Sequence, residues 1–127
     1  MKAVTRFRPV AINVGVRDLE EAITFYEAVF GARFEVSESG GRPVHAWWQF
    51  GEGDSFFVFN LRRRDADDPH RDHVSAFGFT VPDLDGAHAR ALAAGGREHF
   101  PPLEEAGLPR HSRFEDPSGK RIVLWEA

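Results

Sequence analysis

The sequence predicts an α+β fold made of two tandem βαβββ units, and three observations carry that reading. First, the chain superposes on itself when Ala11 is laid on Ala76. Val16 then meets Val81, Asp18-Leu19 meets Asp83-Leu84, Ala22 meets Ala87, Ala28 meets Ala93 and Gly31 meets Gly96. Second, each copy opens on a stretch whose apolar residues recur every second position, the period of a strand. Third, each then changes to helical spacing between an Asp, which caps a helix N-terminus, and a Gly, which stops a helix in the left-handed region. A chain of 127 residues fits one compact domain. Residues 1–127 are therefore read as a single domain, with the first unit at 9–61, a linker at 62–72 and the second unit at 73–127.

In the first unit, residues 10–16 put Val10, Ile12, Val14 and Val16 on one face and Ala11, Asn13 and Gly15 on the other. Asp18 caps the following helix, and Glu21 stands where a capping box needs it. Leu19, Ala22, Ile23, Tyr26, Val29 and Phe30 form one apolar stripe, and Gly31 ends it. Strands are expected at 33–37, 44–50 and 55–61, with Gly40-Gly41 and Gly51-Glu52-Gly53-Asp54 as the turns between them. The polar run from Arg62 to Pro69 reads as a surface linker.

The second unit opens with a strand at 74–81 that aligns Phe77, Phe79 and Val81. A helix at 83–94 follows, with Leu84, Ala87, Ala91 and Leu92 inward, stopped by Gly95-Gly96. A weak strand at 97–100 precedes Pro101-Pro102, which cannot join a central ladder. Residues 110–115 and 121–125 are the last strands, joined by the turn Asp116-Pro117-Ser118-Gly119.

Composition narrows the partners. With 16 Lys+Arg against 20 Asp+Glu the formal charge is −4, which provides no basic footprint for nucleic acid. No apolar run approaches the roughly 18 residues of a membrane span. Met1 to Arg6 lacks the apolar stretch of a signal peptide. The absence of Cys rules out disulfides and fits a reducing compartment. The expectation is a soluble cytoplasmic protein whose partner is a small molecule, with no nucleic acid and no membrane. The only Lys are Lys2 and Lys120, a bias that GC-rich coding explains without function. Aromatics are another matter. They reach 13%, nearly all Phe and Trp, and serve either as core or as a binding surface.

Four segments, in order inside this duplicated frame, resemble the vicinal oxygen chelate superfamily, which includes glyoxalase I, extradiol dioxygenases and the fosfomycin and bleomycin resistance proteins. They are Val14-Gly15-Val16-Arg17-Asp18-Leu19, Thr24-Phe25-Tyr26 with Phe30-Gly31, Phe79-Thr80-Val81-Pro82-Asp83-Leu84, and Phe114-Glu115-Asp116-Pro117-Ser118-Gly119-Lys120. The resemblance covers residues 10–125. It implies that the two sheets pair into a curved, partly open barrel around a cavity. It also implies a homodimer whose sites draw residues from both chains. Finally, it implies a metal held by His, Gln or Glu on the cavity side of the first and last strand of each unit.

Those ligand positions fall on Ala11, Asn60, Ala76 and Val123. Three are aliphatic and the fourth is a neutral amide. A register shift of one residue brings in only Ser75 as a further oxygen. The expectation is therefore no metal and no cofactor, with enzymatic activity left open. Of the histidines, His70 and His73 read as linker residues, and His88 and His99 as exposed. His45 and His111 lie in roughly equivalent strands. With Glu115 or Asp116 they form the alternative metal set. No Gly-x-Ser-x-Gly elbow, phosphate loop or Cys nucleophile is present. Ser112 lies beside His111 but on the opposite face of its strand.

The candidate ligand-binding residues are Asn13, His45, Trp47, Trp48, Phe56, Val58, Asn60, Thr80, His111, Arg121 and Trp125. Alternation sends Trp47 and Trp48 to opposite faces, so one packs on the helix and the other lines the cavity. If Asn60 faces the cavity, Phe56 and Val58 do too, while Phe57, Phe59 and Leu61 join Ile12, Val14 and Tyr26 in the core. By the same rule Arg121, Val123 and Trp125 face the cavity, and Ile122 and Leu124 the helix. This aromatic lining resembles the bleomycin-resistance branch, which binds a planar, partly cationic drug without metal chemistry. Glu35, Glu38, Glu52 and Asp54 suit a cationic ligand or a solvated loop. The function expected is metal-independent binding, possible sequestration included, of a planar aromatic compound. The alternatives are a metal-dependent lyase, isomerase or dioxygenase with relocated ligands, a metal-free enzyme, and an interaction domain that fills its own cavity.

Overall fold

The computed structural model describes residues 11–52, 56–64 and 76–127. Its first unit comprises β1 (Ala11–Val16), α1 (Leu19–Phe30), β2 (Glu35–Ser39), β3 (Arg42–Phe50) and β4 (Phe57–Arg63). The second comprises β5 (Ala76–Val81), α2 (Leu84–Ala93), β6 (Arg97–Leu103), β7 (His111–Glu115) and β8 (Arg121–Glu126). The α+β architecture of two βαβββ units is as the sequence predicts. Each unit forms a four-stranded mixed sheet, ordered β1-β4-β3-β2 and β5-β8-β7-β6. In each, the first strand pairs parallel with the last, and the remaining neighbours are antiparallel. No ladder joins the two sheets among the described residues, so they are not closed into a barrel. No helix among the described residues is long and apolar enough to cross a membrane.

Local chemistry explains the helix ends. Asp18 Oδ1 accepts from the Glu21 backbone N–H at 3.0 Å, and Asp83 Oδ1 accepts from that of Gly86 at 3.0 Å. Gly31 takes φ 68° at the end of α1, where a residue with a Cβ is strained. The prolines of β6 sit in an edge strand, at a register shift between Phe100 and Leu103, as the missing N–H requires. Two boundaries move: β6 runs past residue 100 through both prolines to Leu103, and β4 runs past Leu61. β4 continues through Arg62 and Arg63, which pair with Gly15 and Val16 and so belong to the sheet and not to a linker. The rest of the linker from residue 65, with His70, Asp72, His73 and Ser75, lies outside the described residues, as do Val10 and Asp54.

The helix-facing sides of both sheets share one core. Phe59 and Phe79 lie 5.7 Å apart between ring centroids, Phe30 and Phe79 4.4 Å, and Phe25 and Phe114 6.1 Å. Polar ties cross the same seam. The Tyr26 hydroxyl donates to Asp116 Oδ2 at 2.6 Å, and Arg90 Nε donates to the Val29 carbonyl at 3.0 Å. Phe25, outside the expected stripe, is buried because the second unit covers its side of α1.

Three expectations about the second unit are corrected: Leu92 inward, His88 exposed and His99 exposed. Leu92 is exposed and His88 takes its place, only 4% accessible. The face of α2 that meets the sheet is Leu84, Ala87, His88 and Ala91. A buried imidazole needs partners at both nitrogens, and His88 has them: Nδ1 lies 2.8 Å from Ser112 Oγ and Nε2 2.8 Å from Glu98 Oε1. His99 is half-buried, its Nε2 2.6 Å from Glu115 Oε2.

Candidate functional site

Packing against the helices settles which side of each sheet is which. Val14, Val16, Ala46, Phe59 and Leu61 belong to the core, so their strand neighbours point the other way. On this helix-free face the register sets Asn13 beside Asn60, Asn60 beside Trp47, and His45 beside Arg62. In the second sheet it sets Thr80 beside Trp125, Trp125 beside His111, and Val123 beside Arg113. Asn13, Thr80 and Arg121 are exposed, His45, Trp47, Val58, Asn60 and Trp125 are half-buried, and His111 is buried. Phe56 stands exposed immediately before β4.

Trp48 is the exception among the candidates. Its ring packs against Phe30 at 6.4 Å, Phe34 at 6.2 Å and Phe79 at 6.2 Å, so it is core and leaves the site to Trp47. The cross-strand register sets this: Trp48 stands opposite the core residue Phe59 and Trp47 opposite Asn60, and Phe79 of the other unit adds to the packing.

The two sheets carry matching His–Trp pairs. His45 lies over Trp47 at 5.1 Å with a 31° interplanar angle, and His111 over Trp125 at 4.9 Å with the same angle. Each histidine is anchored through one ring nitrogen. His45 Nε2–H donates to Asn60 Oδ1 at 2.8 Å, and Asn60 Nδ2 reaches the Ile12 carbonyl at 3.5 Å. His111 Nδ1–H donates to the Pro109 carbonyl at 2.9 Å, and Phe100 meets its ring edge-on at 5.7 Å. Gly78 gives Trp125 its seat. A Cβ added there stands 3.3 Å from indole Nε1 and 3.1 Å from the Val123 carbonyl oxygen.

A divalent cation does not fit the positions where the resemblance calls for ligands. The side chains of Ala11, Ala76 and Val123 carry no donor atom, and the Asn60 carboxamide oxygen is committed to His45. Nor is the alternative set assembled. No group of three or more His, Cys, Asp or Glu positioned to hold a metal occurs among the described residues. Asp116 sits on the helix side, its Oδ2 bound by Tyr26 and its Oδ1 by the backbone N–H groups of Ser118 and Lys120, each at 2.9 Å. Burial raises its pKa above the ordinary carboxylate value. Glu115 is held below its ordinary value by the hydrogen bond from His99, with Arg97 Nη2 adding a second at 2.8 Å.

Arg113 stands on the same helix-free face and is absent from the candidate set. Its guanidinium carbon lies 5.2 Å from the centroid of the Phe100 ring. Its Nε is withdrawn from solvent with no hydrogen-bond partner among the described residues. The signal was available, because the alternation that aligns His111 with Glu115 also aligns Arg113 between them.

The family model described as Glyoxalase/Bleomycin resistance protein/Dioxygenase superfamily matches residues 8–124. The chain is 27% identical over 137 residues to the anthracycline biosynthesis protein DauV of Streptomyces sp. (strain C5), an alignment that takes in 96% of this chain and 49% of that protein. It thus spans about half the length of the curated relatives it matches. Among solved structures it is similar to a glyoxalase-related enzyme from Fulvimarina pelagi, 19% identical with a TM-score of 0.75, covering 94% of this chain and 88% of that one. It is also similar to TioX from Micromonospora sp. ML1, 20% identical with a TM-score of 0.73, covering 94% and 98% respectively. At these identities the structural likeness shows the fold.

Proposed function

Since the chain belongs to the glyoxalase/bleomycin resistance protein/dioxygenase superfamily, and offers hydrocarbon at three of the four expected ligand positions, we propose that it binds a planar aromatic small molecule without a metal. The observation that carries this reading is the pair of histidine-backed indoles, Trp47 and Trp125, one on the helix-free face of each sheet. A large flat ring gains both apolar burial and offset stacking from such a surface. Asn13, Asn60 and Thr80 provide polar groups for orientation. The similarity to a protein named for anthracycline biosynthesis favours polycyclic aromatics of natural-product type. A homodimer in the cytoplasm is part of the same reading. Each chain's helices cover one side of its sheets only, and a second copy would enclose the other.

The test is a tryptophan-fluorescence titration with a set of planar polycyclic quinones. Quenching is expected with and without chelator. Trp47→Ala and Trp125→Ala are each expected to weaken binding about tenfold or more, the loss of one stacked ring and its buried area. Trp48→Phe leaves affinity in place, since that ring faces the core. Binding that appears only on addition of a divalent cation, or that survives both alanine variants, overturns the proposal.

A further inference from the structure

Resting on that reading of the helix-free faces, we propose that Arg113 selects the ligand by gripping an aromatic carboxylate, its guanidinium paired with the two neighbouring oxygens while the ring lies on Trp125. The placement follows from register. Arg113 and Val123 are direct cross-strand partners of β7 and β8, so their side chains are neighbours on the helix-free face. Val123 is aliphatic and cannot neutralise a cation. Trp125, two residues further along β8, stands on the same face.

The guanidinium is held in place, and no ion pair to it occurs among the described residues. Phe100 supports it from below at 5.2 Å, and Nε is removed from water without an acceptor among the described residues. A donor left in that state costs free energy that an incoming oxygen acceptor returns. The acid closest in sequence on the same face, Glu115, is committed elsewhere, to Arg97 at 2.8 Å and His99 at 2.6 Å. Arg121 adds a second positive charge to the face, in register with Glu115. A planar fork of N–H donors matches a carboxylate through two parallel hydrogen bonds, a geometry that lysine lacks.

The first sheet shows the complementary choice. Trp47 stands opposite Asn60 as Arg113 stands opposite Val123. One sheet thus offers a neutral aromatic plane at the position where the other offers a charge. The ligand class that fits both is a flat polycycle with an acidic substituent at one end.

The experiment compares anthraquinone-2-carboxylate with its neutral isostere, anthraquinone-2-carboxamide, by tryptophan quenching at fixed ionic strength. The unmodified protein is expected to prefer the carboxylate about tenfold, the usual worth of a charge-assisted pair in a partly solvated site. R113Q is expected to bind both probes as the unmodified protein binds the amide. R113K keeps the charge without the fork and is expected to retain only part of the preference, which carries the test if the glutamine variant does not fold. Equal affinity of the unmodified protein for acid and amide, or a preference that persists in both variants, overturns the role of Arg113 and leaves the aromatic-ligand reading intact. Failure of the unmodified protein to bind either probe overturns both.

Discussion

Phe59 and Asn60 are consecutive residues of β4 with opposite surroundings. Phe59 is 1% accessible and touches Tyr26, Phe34, Trp48, Phe77 and Phe79. Asn60 points to the helix-free face, where His45 and Trp47 are its neighbours. The same division runs through the histidines. On the helix side His88 spends both ring nitrogens on protein partners. On the open side His45 and His111 each make one short hydrogen bond, and the second nitrogen of His111 lies 3.7 Å from Glu105. One face of each sheet is thus closed by its own chain, with its bonding capacity used up. The other carries half-buried and exposed rings, amides and the Arg113 guanidinium, which no helix among the described residues covers. In this fold the strand alternation separates the packed side of each sheet from the open one residue by residue.

The separation breaks most visibly at Phe59. Phe59→Ala removes a ring that both units pack against and is expected to cost about 3–5 kcal/mol, the range for a buried Phe replaced by Ala. Val58→Ala, one residue earlier and on the open face, is expected to cost about 1 kcal/mol or less. Urea unfolding of the two variants measures the contrast. Equal losses would mean that the open face is packed in solution, and that the two sides are not distinct.

Next in size is Tyr26→Phe, which tests the polar tie across the seam between units. Burial and the nearby Asp116 carboxylate raise the phenol's pKa well above its ordinary value, so it stays a donor. Its loss strands Asp116 Oδ2, while Oδ1 keeps its two backbone donors. The expected cost is about 1–3 kcal/mol. The pH dependence has a definite sign. A carboxyl whose native pKa is raised contributes most below its unfolded value and loses that contribution as pH rises through the native one. The hydroxyl's hydrogen bond opposes the rise, so removing it raises the native pKa further. The gap in urea midpoint between the two proteins is therefore expected to widen from about pH 4 to about pH 7. A gap that is constant with pH would show that the hydroxyl does not serve the carboxylate.

What could be read from the sequence was what neighbours along the chain decide. The Asp18 cap, the Gly31 stop and the edge placement of Pro101-Pro102 each follow from one or two residues, and each is found. The alternation of β4 and β8 likewise placed Phe59 and Ile122 in the core and Asn60 and Trp125 opposite. What eluded the sequence depends on a distant segment. Leu92 and His88 are both admissible on the inner stripe of α2. The choice rests with Ser112 and Glu98, which supply the partners a buried ring needs. Trp47 and Trp48 diverge by alternation, but which of them is core depends on pairing with Phe59 across the sheet and on packing against Phe30, Phe34 and Phe79. For Arg113 the face was legible, and the absence of an ion pair among the described residues was not. Glu115 is drawn away by Arg97 and His99, which arrive on a different strand.

The smallest expected effect falls on the open face itself, at Gly78. A methyl group there meets Trp125 Nε1 at 3.3 Å and the Val123 carbonyl at 3.1 Å, close enough to displace the indole and not close enough to break the ladder. Replacing Gly with Ala also narrows the unfolded ensemble, which stabilises the fold by about 0.4–1 kcal/mol where the backbone accepts it. The two terms oppose, so Gly78→Ala is expected to change stability by less than about 1 kcal/mol. Recognition is where it tells. An indole displaced from its seat above β5 loses its present packing against His111, and affinity for a planar quinone is expected to fall about threefold, roughly half of one ring-stacking contribution. Unfolding and quenching measured on the same sample separate the two. If stability drops and binding does not, Gly78 belongs to the packing of the sheet. If binding drops alone, even a glycine in the middle of a strand is part of the recognition surface, because what it provides is the space an aromatic ring lies in.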